Sequence, residues 1–385
     1  MKSMNSHRVD SLSLLLLLVA AWTAAGCDNG LPKVSWEGDK IRFATTEDHL
    51  PCGRALEILD EDIKEMEKEL GLPLPGGVKI TYYWLPYHMN LSPCADWVSG
   101  CASDYTIFTT SSSHHHEVVH ILTASLGPGH AFLSEGFAEA FNRRSRFELS
   151  KEDKLEKRIR RCMISYAVSA DIDYPLAGKF TRFLITEYGL APIKLVYSRL
   201  PPRSNEDDYD RVFKAVLDDS LQTVIDKFVQ NAPECYATPS ECHDEEPTTE
   251  WQDGVWEHRF EMSCSEAVGE ASGGEIFQST VLDVQEDGVF KMEVDGTPGF
   301  KLGVRLIPCG AVDENCHFDN IYMYAGEVRV ATLPAGRYEI RASSPNTETT
   351  DVTVRLGPTN LTDAGIDAGD DAGSSETIDS GSTDN

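Results

Sequence analysis

The chain has 385 residues, enough to bury two separate cores. Its 34 Lys and Arg are outnumbered by 63 Asp and Glu, for a formal net charge of −29. A nucleic-acid partner needs a basic face, so no nucleic-acid-binding role is expected.

At the amino terminus, Lys2 and Arg8 precede an apolar run over 12–22 that is short for a membrane span. Thr23-Ala24-Ala25-Gly26-Cys27 follows, and small residues leading to a cysteine resemble the lipobox of bacterial lipoproteins. The resemblance implies a signal peptide over 1–26, acylation of Cys27 and an anchor linker over 27–40. An ordinary secretory signal, with Cys27 in a disulfide, is the alternative. Both readings export the chain. The first tethers it, as a monomer, to a bacterial membrane on the periplasmic or cell-surface face.

Short strands are expected over 33–36 and 41–44, with a turn at Gly38-Asp39. Leu56, Leu59, Ile63, Met66 and Leu70 recur at helical spacing and stop at Gly71, which predicts a helix over 55–70. Branched and aromatic residues mark strands over 78–85 and 105–110. The serines at 111–113 offer a helix cap, and Gly127-Pro128-Gly129 ends that helix. A helical block over 131–231 contains segments at 132–142, 151–163, 175–188, 191–199, 207–217 and 221–229. Residues 233–253 mix Pro, Cys and acids, as linkers do. Strand-like runs then follow at 277–284, 289–294, 302–307, 321–325, 328–333, 338–342 and 352–356, spaced as in an all-β sandwich. Residues 358–385 carry Asp, Ala, Gly and Ser without one Lys or Arg, too little apolar surface to fold.

Export makes disulfides permissible. Cys94 with Cys101, Cys235 with Cys242, and Cys309 with Cys316 share one short spacing and are candidate local bridges. Cys52, Cys162 and Cys264 remain, and at least one of them is expected to stay free.

The chemistry is concentrated in His116-Glu117-Val118-Val119-His120. Two histidines four apart on a helix project from one face, so both imidazoles can reach one ion. Glu117 between them is placed to take a proton from water activated there. A chance match to this pattern has odds on the order of a few per cent in a chain this long. Downstream, Leu133-Ser134-Glu135-Gly136-Phe137-Ala138-Glu139 opens a second helical segment. A third ligand of the metzincin kind requires glycine at 123 and histidine at 126; Thr123 and Leu126 exclude it.

The HExxH pattern followed by Glu135 resembles the gluzincins, the thermolysin-like peptidases. That resemblance implies an α+β chain in which a thermolysin-like catalytic domain over 41–232 holds one Zn2+ on His116, His120 and Glu135. It further implies Glu117 as catalytic base and Glu139 as the acid that orients His116. Tyr174-Pro175-Leu176-Ala177-Gly178-Lys179 resembles the Tyr-Glu-Lys-Gly segment of aminopeptidase-N-like enzymes, which implies that Tyr174 opens a helix and steadies an oxyanion. Ala177 stands where that family has glycine, and a core tyrosine at a helix entry is the alternative. No Gly-x-Met-Glu-Asn strand precedes His116, so an endopeptidase is expected over an amine-reading exopeptidase. The strand over 105–110 is the expected edge that pairs with an extended peptide. His114 and His115, on other helix faces, are expected to be exposed; His130 receives no role; Tyr82, Tyr83 and Trp84 are expected in the core.

Leu333-Pro334-Ala335-Gly336-Arg337-Tyr338 resembles the Pro-Ala-Gly-x-Tyr turn of the pre-peptidase C-terminal domain. This implies an accessory β-sandwich over 254–357, of the kind appended to secreted bacterial peptidases. The expected function is a zinc-dependent endopeptidase acting on peptide or protein substrates outside the cytoplasm. A surface scaffold that keeps the fold without turnover, and a zinc amide hydrolase acting on cell-wall material, are the alternatives. An intact Glu117 speaks against the scaffold.

Overall fold

A computed structural model describes residues 30–95, 98–142, 154–164, 172–232, 250–264, 269–271, 275–296, 303–308, 321–344 and 350–359. The chain is mixed α+β, with two hydrophobic cores. The first half begins with β1 (Val34–Glu37), β2 (Ile41–Thr45), α1 (Ala55–Leu70), β3 (Ile80–Trp84), β4 (Gly100–Ser103) and β5 (Thr106–Thr109). These strands make one sheet in the order β1-β2-β3-β5-β4. Its centre, β2, β3 and β5, is parallel, and the edge strands β1 and β4 run antiparallel to their neighbours.

Strand β1 carries the sheet into the stretch read above as an anchor linker. Its turn is held by buried Asp60, whose carboxylate accepts from the backbone N–H of Asp39, Lys40 and Ile41 at 3.2, 2.6 and 3.2 Å. At the opposite edge, β5 is not the outermost strand, contrary to the expectation for 105–110. Strand β4 covers it, pairing Gly100 with Thr109 and Ser103 with Thr106. The small residues of β4 carry no strand signal; the ladder to β5 and the Cys94–Cys101 disulfide hold them there.

Helix α1 buries Leu56, Leu59, Ile63, Met66 and Leu70 on one side, as its spacing predicts. It stops where Gly71 turns left-handed at φ 58° and donates back to the last helical carbonyls. Seven more α-helices follow among the described residues: α2 (His115–Thr123), α3 (Ala131–Ala140), α4 (Leu155–Met163), α5 (Tyr174–Tyr188), α6 (Leu190–Arg199), α7 (Glu206–Leu217) and α8 (Leu221–Asn231). Their apolar sides and the sheet form the first core, around Phe43, Tyr82, Phe132, Phe137, Phe180, Phe213 and Phe228.

The described residues of the second half are all β: β6 (Trp256–Met262), β7 (Gly269–Ala271), β8 (Glu275–Val284), β9 (Gly288–Gly296), β10 (Gly303–Pro308), β11 (Ile321–Tyr324), β12 (Val328–Leu333), β13 (Gly336–Ser344) and β14 (Thr350–Pro358). Two antiparallel sheets, β11-β10-β13-β8-β7 and β12-β9-β14-β6, contribute to a core that includes Trp256, Phe260, Leu282, Val294, Ile340 and Val354. At the Pro-Ala-Gly turn, the Tyr338 hydroxyl donates to the Pro334 carbonyl at 2.7 Å, and Ala335 N–H donates to Asp287 at 2.7 Å.

Two disulfides form among the described residues. Cys94 joins Cys101 as expected, and Cys52 joins Cys264, tying the loop after β2 to the end of β6. Cys162 is buried and free. Cys27 and the pairs at 235/242 and 309/316 lie outside the described residues. No helix among those residues is long and apolar enough to cross a membrane.

Candidate metal centre

Strand β3 prepares the segment that leads into α2. The Tyr82 hydroxyl donates to the Ser111 carbonyl at 2.9 Å, and Trp84 Nε1–H donates to the Thr110 carbonyl at 3.1 Å. The serine cap expected at 111–113 is not made. Ser111 Oγ donates to the Ser113 carbonyl instead, and α2 starts after His114 with no side-chain cap bond. From there the helical period acts as read: Val118, Val119, Ile121 and Leu122 are buried, and His116 and His120 share a face.

His115 does not face solvent. It is buried, with Nε2 2.7 Å from Oδ2 of Asp62 on α1. The helical period places it on another face correctly, but a partner 53 residues away turns that face inward. His114 is half-buried; its ring stacks on His116 at 5.9 Å between centroids, with Nδ1 3.9 Å from Glu117 Oε1. His130 is fully buried and caps α3, its Nδ1 accepting from Phe132 N–H at 3.2 Å and from the Tyr209 hydroxyl at 2.9 Å. Burial pushes its pKa down to about 4.

Helix α3 brings Glu135 and Glu139 to α2. Nε2 of His116 lies 3.1 Å from Nε2 of His120 and 3.1 Å from Oε2 of Glu135, and the third side of the triangle is 3.3 Å. On the other side of the ring, His116 Nδ1 donates to Glu139 Oε1 at 2.8 Å. That bond fixes the orientation of the ring and leaves Nε2 facing the triangle. Ser134 Oγ sits 3.3 Å from Nδ1 of His120 and holds the second ring in the same manner.

A tetrahedral zinc site with bonds of about 2.0–2.1 Å places its donors roughly 3.3–3.4 Å apart. The three separations here, 3.1, 3.1 and 3.3 Å, lie at or just under that spacing, and two imidazole nitrogens with one carboxylate oxygen are a donor set that fits a metal of the zinc type. Burial opposes a charge on His116, but its bonds to Glu135 and Glu139 and the nearby Glu117 charge lift its pKa to about 10, so without an ion a proton on Nε2 bridges to Glu135, and a metal bound there would take that proton's place. Burial likewise opposes the Glu135 carboxylate, and the two imidazoles overcome it, bringing the pKa to about 2. Glu117 behaves differently: burial raises it, against the opposing pull of His120 and His116.

Tyr174 is the first residue of α5. Asp173 caps that helix, accepting from Leu176 N–H at 3.2 Å, and Arg158 Nε–H donates to the same carboxylate at 3.0 Å. The Tyr174 ring stands 6.0 Å from the His116 ring. Both line a cleft of about 590 Å³ with His120, Glu117 and Glu135, alongside Gly100 and Ala102 of edge strand β4. All six residues singled out for the site thus come together: His116, Glu117, His120, Glu135, Glu139 and Tyr174. Sequence reasoning missed Ser134 and the cleft residue Tyr197; for Ser134 the available signal was a hydroxyl next to a ligand on the same helix.

No protein-family model matches this chain, and no curated protein matches it. Among solved structures, it is similar in part to the pre-peptidase C-terminal domain of collagenase from Bacillus anthracis. The identity is 8%, over 26% of this chain and 86% of that one, with a TM-score of 0.20. It is also similar in part to PliG of Aeromonas hydrophila, a periplasmic lysozyme inhibitor of g-type lysozyme. There the identity is 11%, over 29% of this chain and 92% of that one, with a TM-score of 0.20.

Proposed function

We propose that this chain is a zinc-dependent endopeptidase with a thermolysin-like catalytic domain, working outside the cytoplasm as a monomer anchored through Cys27. The observation that carries the reading is the triangle of His116, His120 and Glu135, open to a cleft with Glu117 beside it. Zinc held there supplies Lewis acidity toward a water molecule and the scissile carbonyl. The rest is done by the chain's own groups.

Glu117 takes a proton from the attacking water as the new C–O bond forms, and returns it to the amine nitrogen as the C–N bond breaks. Its buried position, which raises its pKa, suits both halves of that transfer. Tyr174 donates its hydroxyl to the developing oxyanion, a contribution of about 3–4 kcal/mol in comparable sites. Glu139 and Ser134 keep the two imidazoles aimed. Strand β4, rather than the strand over 105–110, offers the outer edge of the sheet to an extended peptide, with its Gly100 and Ala102 lining the cleft. The two disulfides suit an oxidising compartment, and the lipobox-like sequence before Cys27 supplies the tether.

Metal analysis of the purified chain, beside hydrolysis of an unfolded protein by wild type and Glu117→Gln, tests this reading. The expected result is about one zinc per chain in both proteins, with turnover reduced by about 10²–10⁴-fold in the variant. Zinc in both with turnover in neither would favour a scaffold.

A further inference from the structure

The contact between α3 and α5 is closer than ordinary side chains allow, and one residue makes it possible. A Cβ placed on Gly136 would lie 2.1 Å from Thr181 Oγ1, 3.2 Å from Thr181 Cβ and 2.8 Å from the Ala177 carbonyl oxygen. The last of these is backbone and cannot swing aside. Gly136 directly follows Glu135 on α3, and Ala177 and Thr181 lie three and seven residues after Tyr174 on α5. At helical spacing, Tyr174, Ala177 and Thr181 share one side of α5, the side laid against α3. Ala177 and Thr181 are fully buried in that seam, and Thr181 Oγ1 has no hydrogen-bond partner.

We infer that Gly136 is a positioning residue: by letting the two helices touch, it sets how far Tyr174 reaches toward His116 and Glu135. The inference rests on the proposed peptidase function only for its kinetic consequence. An alanine at 136 pushes α5 outward by a few tenths of an ångström or more and carries Tyr174 with it. His116 and His120 are on α2, and Glu135 stays on its own helix, so the ligand triangle is left standing. Misplacement of a catalytic group by about 1 Å costs up to about 100-fold in rate. Thr181→Ala removes the hydroxyl that the new methyl strikes, moving bulk from one helix to the other.

Four proteins test this: Gly136→Ala, Tyr174→Phe, the two combined, and Gly136→Ala with Thr181→Ala. Gly136→Ala is expected to lose about 10–100-fold in kcat while keeping zinc affinity and KM within about threefold. In the Tyr174→Phe background it is expected to cost no more than about threefold, because the group it acts through is gone. Adding Thr181→Ala should recover part of the loss. An equal loss in both backgrounds would mean general damage and overturn the inference. Crystal structures give the readout that needs no turnover. In Gly136→Ala the separation of the Tyr174 and His116 rings should exceed the native 6.0 Å. An unchanged separation would overturn the inference even if the wild type proved inactive, a result that would count against the peptidase reading instead. Should Gly136→Ala fail to fold, Gly136→Ala with Thr181→Ala is measured in its place: the Ala177 carbonyl oxygen still meets the new methyl, so a smaller widening of the ring separation is expected, and none at all would overturn the inference.

Discussion

The two halves of the molecule treat buried charge in different ways. In the β-sandwich, the buried charged side chain among the described residues is Glu339, which Arg341 meets at 2.7 Å within the same strand. In the first half, several buried acids also have plain structural work. Asp60 closes a turn, Glu67 accepts from Leu74 N–H at 2.7 Å, and Asp62 meets His115. At the end of α2 the pattern changes. Donor atoms of His116, His120 and Glu135 meet beside a cleft that Glu117 also lines, the arrangement on which the proposed zinc site rests. A fold needs partners for its charges, whereas a site keeps some aimed at what has yet to arrive.

The strongest way to break this contrast is Glu135→Ala. Zinc and turnover should disappear together, as read by metal content and peptide hydrolysis, while the sandwich keeps its fold. Retained zinc at full stoichiometry would remove the distinction between the two halves.

Cutting the covalent link between the halves should have the next largest effect. Replacing Cys52 and Cys264 by serine is expected to cost about 2–5 kcal/mol in urea unfolding, with turnover within about threefold. A large loss of turnover instead would make the sandwich part of the catalytic machinery.

His130 sharpens the contrast from inside the first half, as a buried group with a structural task. Its pKa is about 4 in the fold against 6.5 when free, so the unfolded chain binds the proton more tightly. The contribution of His130 to stability is therefore complete above about pH 6.5 and is lost as the pH drops through 4, by at most about 3 kcal/mol. Urea titrations at stepped pH should show this fall in the wild type, and His130→Asn should flatten it. The smallest effect belongs to Glu139→Gln, which should weaken zinc binding by about 10–100-fold in chelator competition without abolishing it.

Much of the site was legible because its signals are local. The spacing of His116 and His120 needs only a helix, and Glu139 falls one turn from Glu135. The helices of the first half and most sandwich strands follow from apolar periodicity that no distant contact overrides. What escaped depends on distant partners or weak local signals. Strand β4 is built of small residues that read as a loop, so the sheet edge was assigned to 105–110. Strand β6 alternates, with Trp256, Phe260 and Met262 inward, but Glu257, Arg259 and Glu261 between them dilute its apolar signal, and the sequence marks no strand there. The burial of His115 depends on Asp62, and the Cys52–Cys264 bridge spans 212 residues; neither is written in local sequence.

Anomalous diffraction at the zinc edge, from crystals grown with one equivalent of zinc, tests the central claim most directly. The expected result is a single strong peak about 2.0–2.2 Å from Nε2 of His116, Nε2 of His120 and a carboxylate oxygen of Glu135. A peak elsewhere, with the three donors still 3.1–3.3 Å apart and nothing between them, would contradict it.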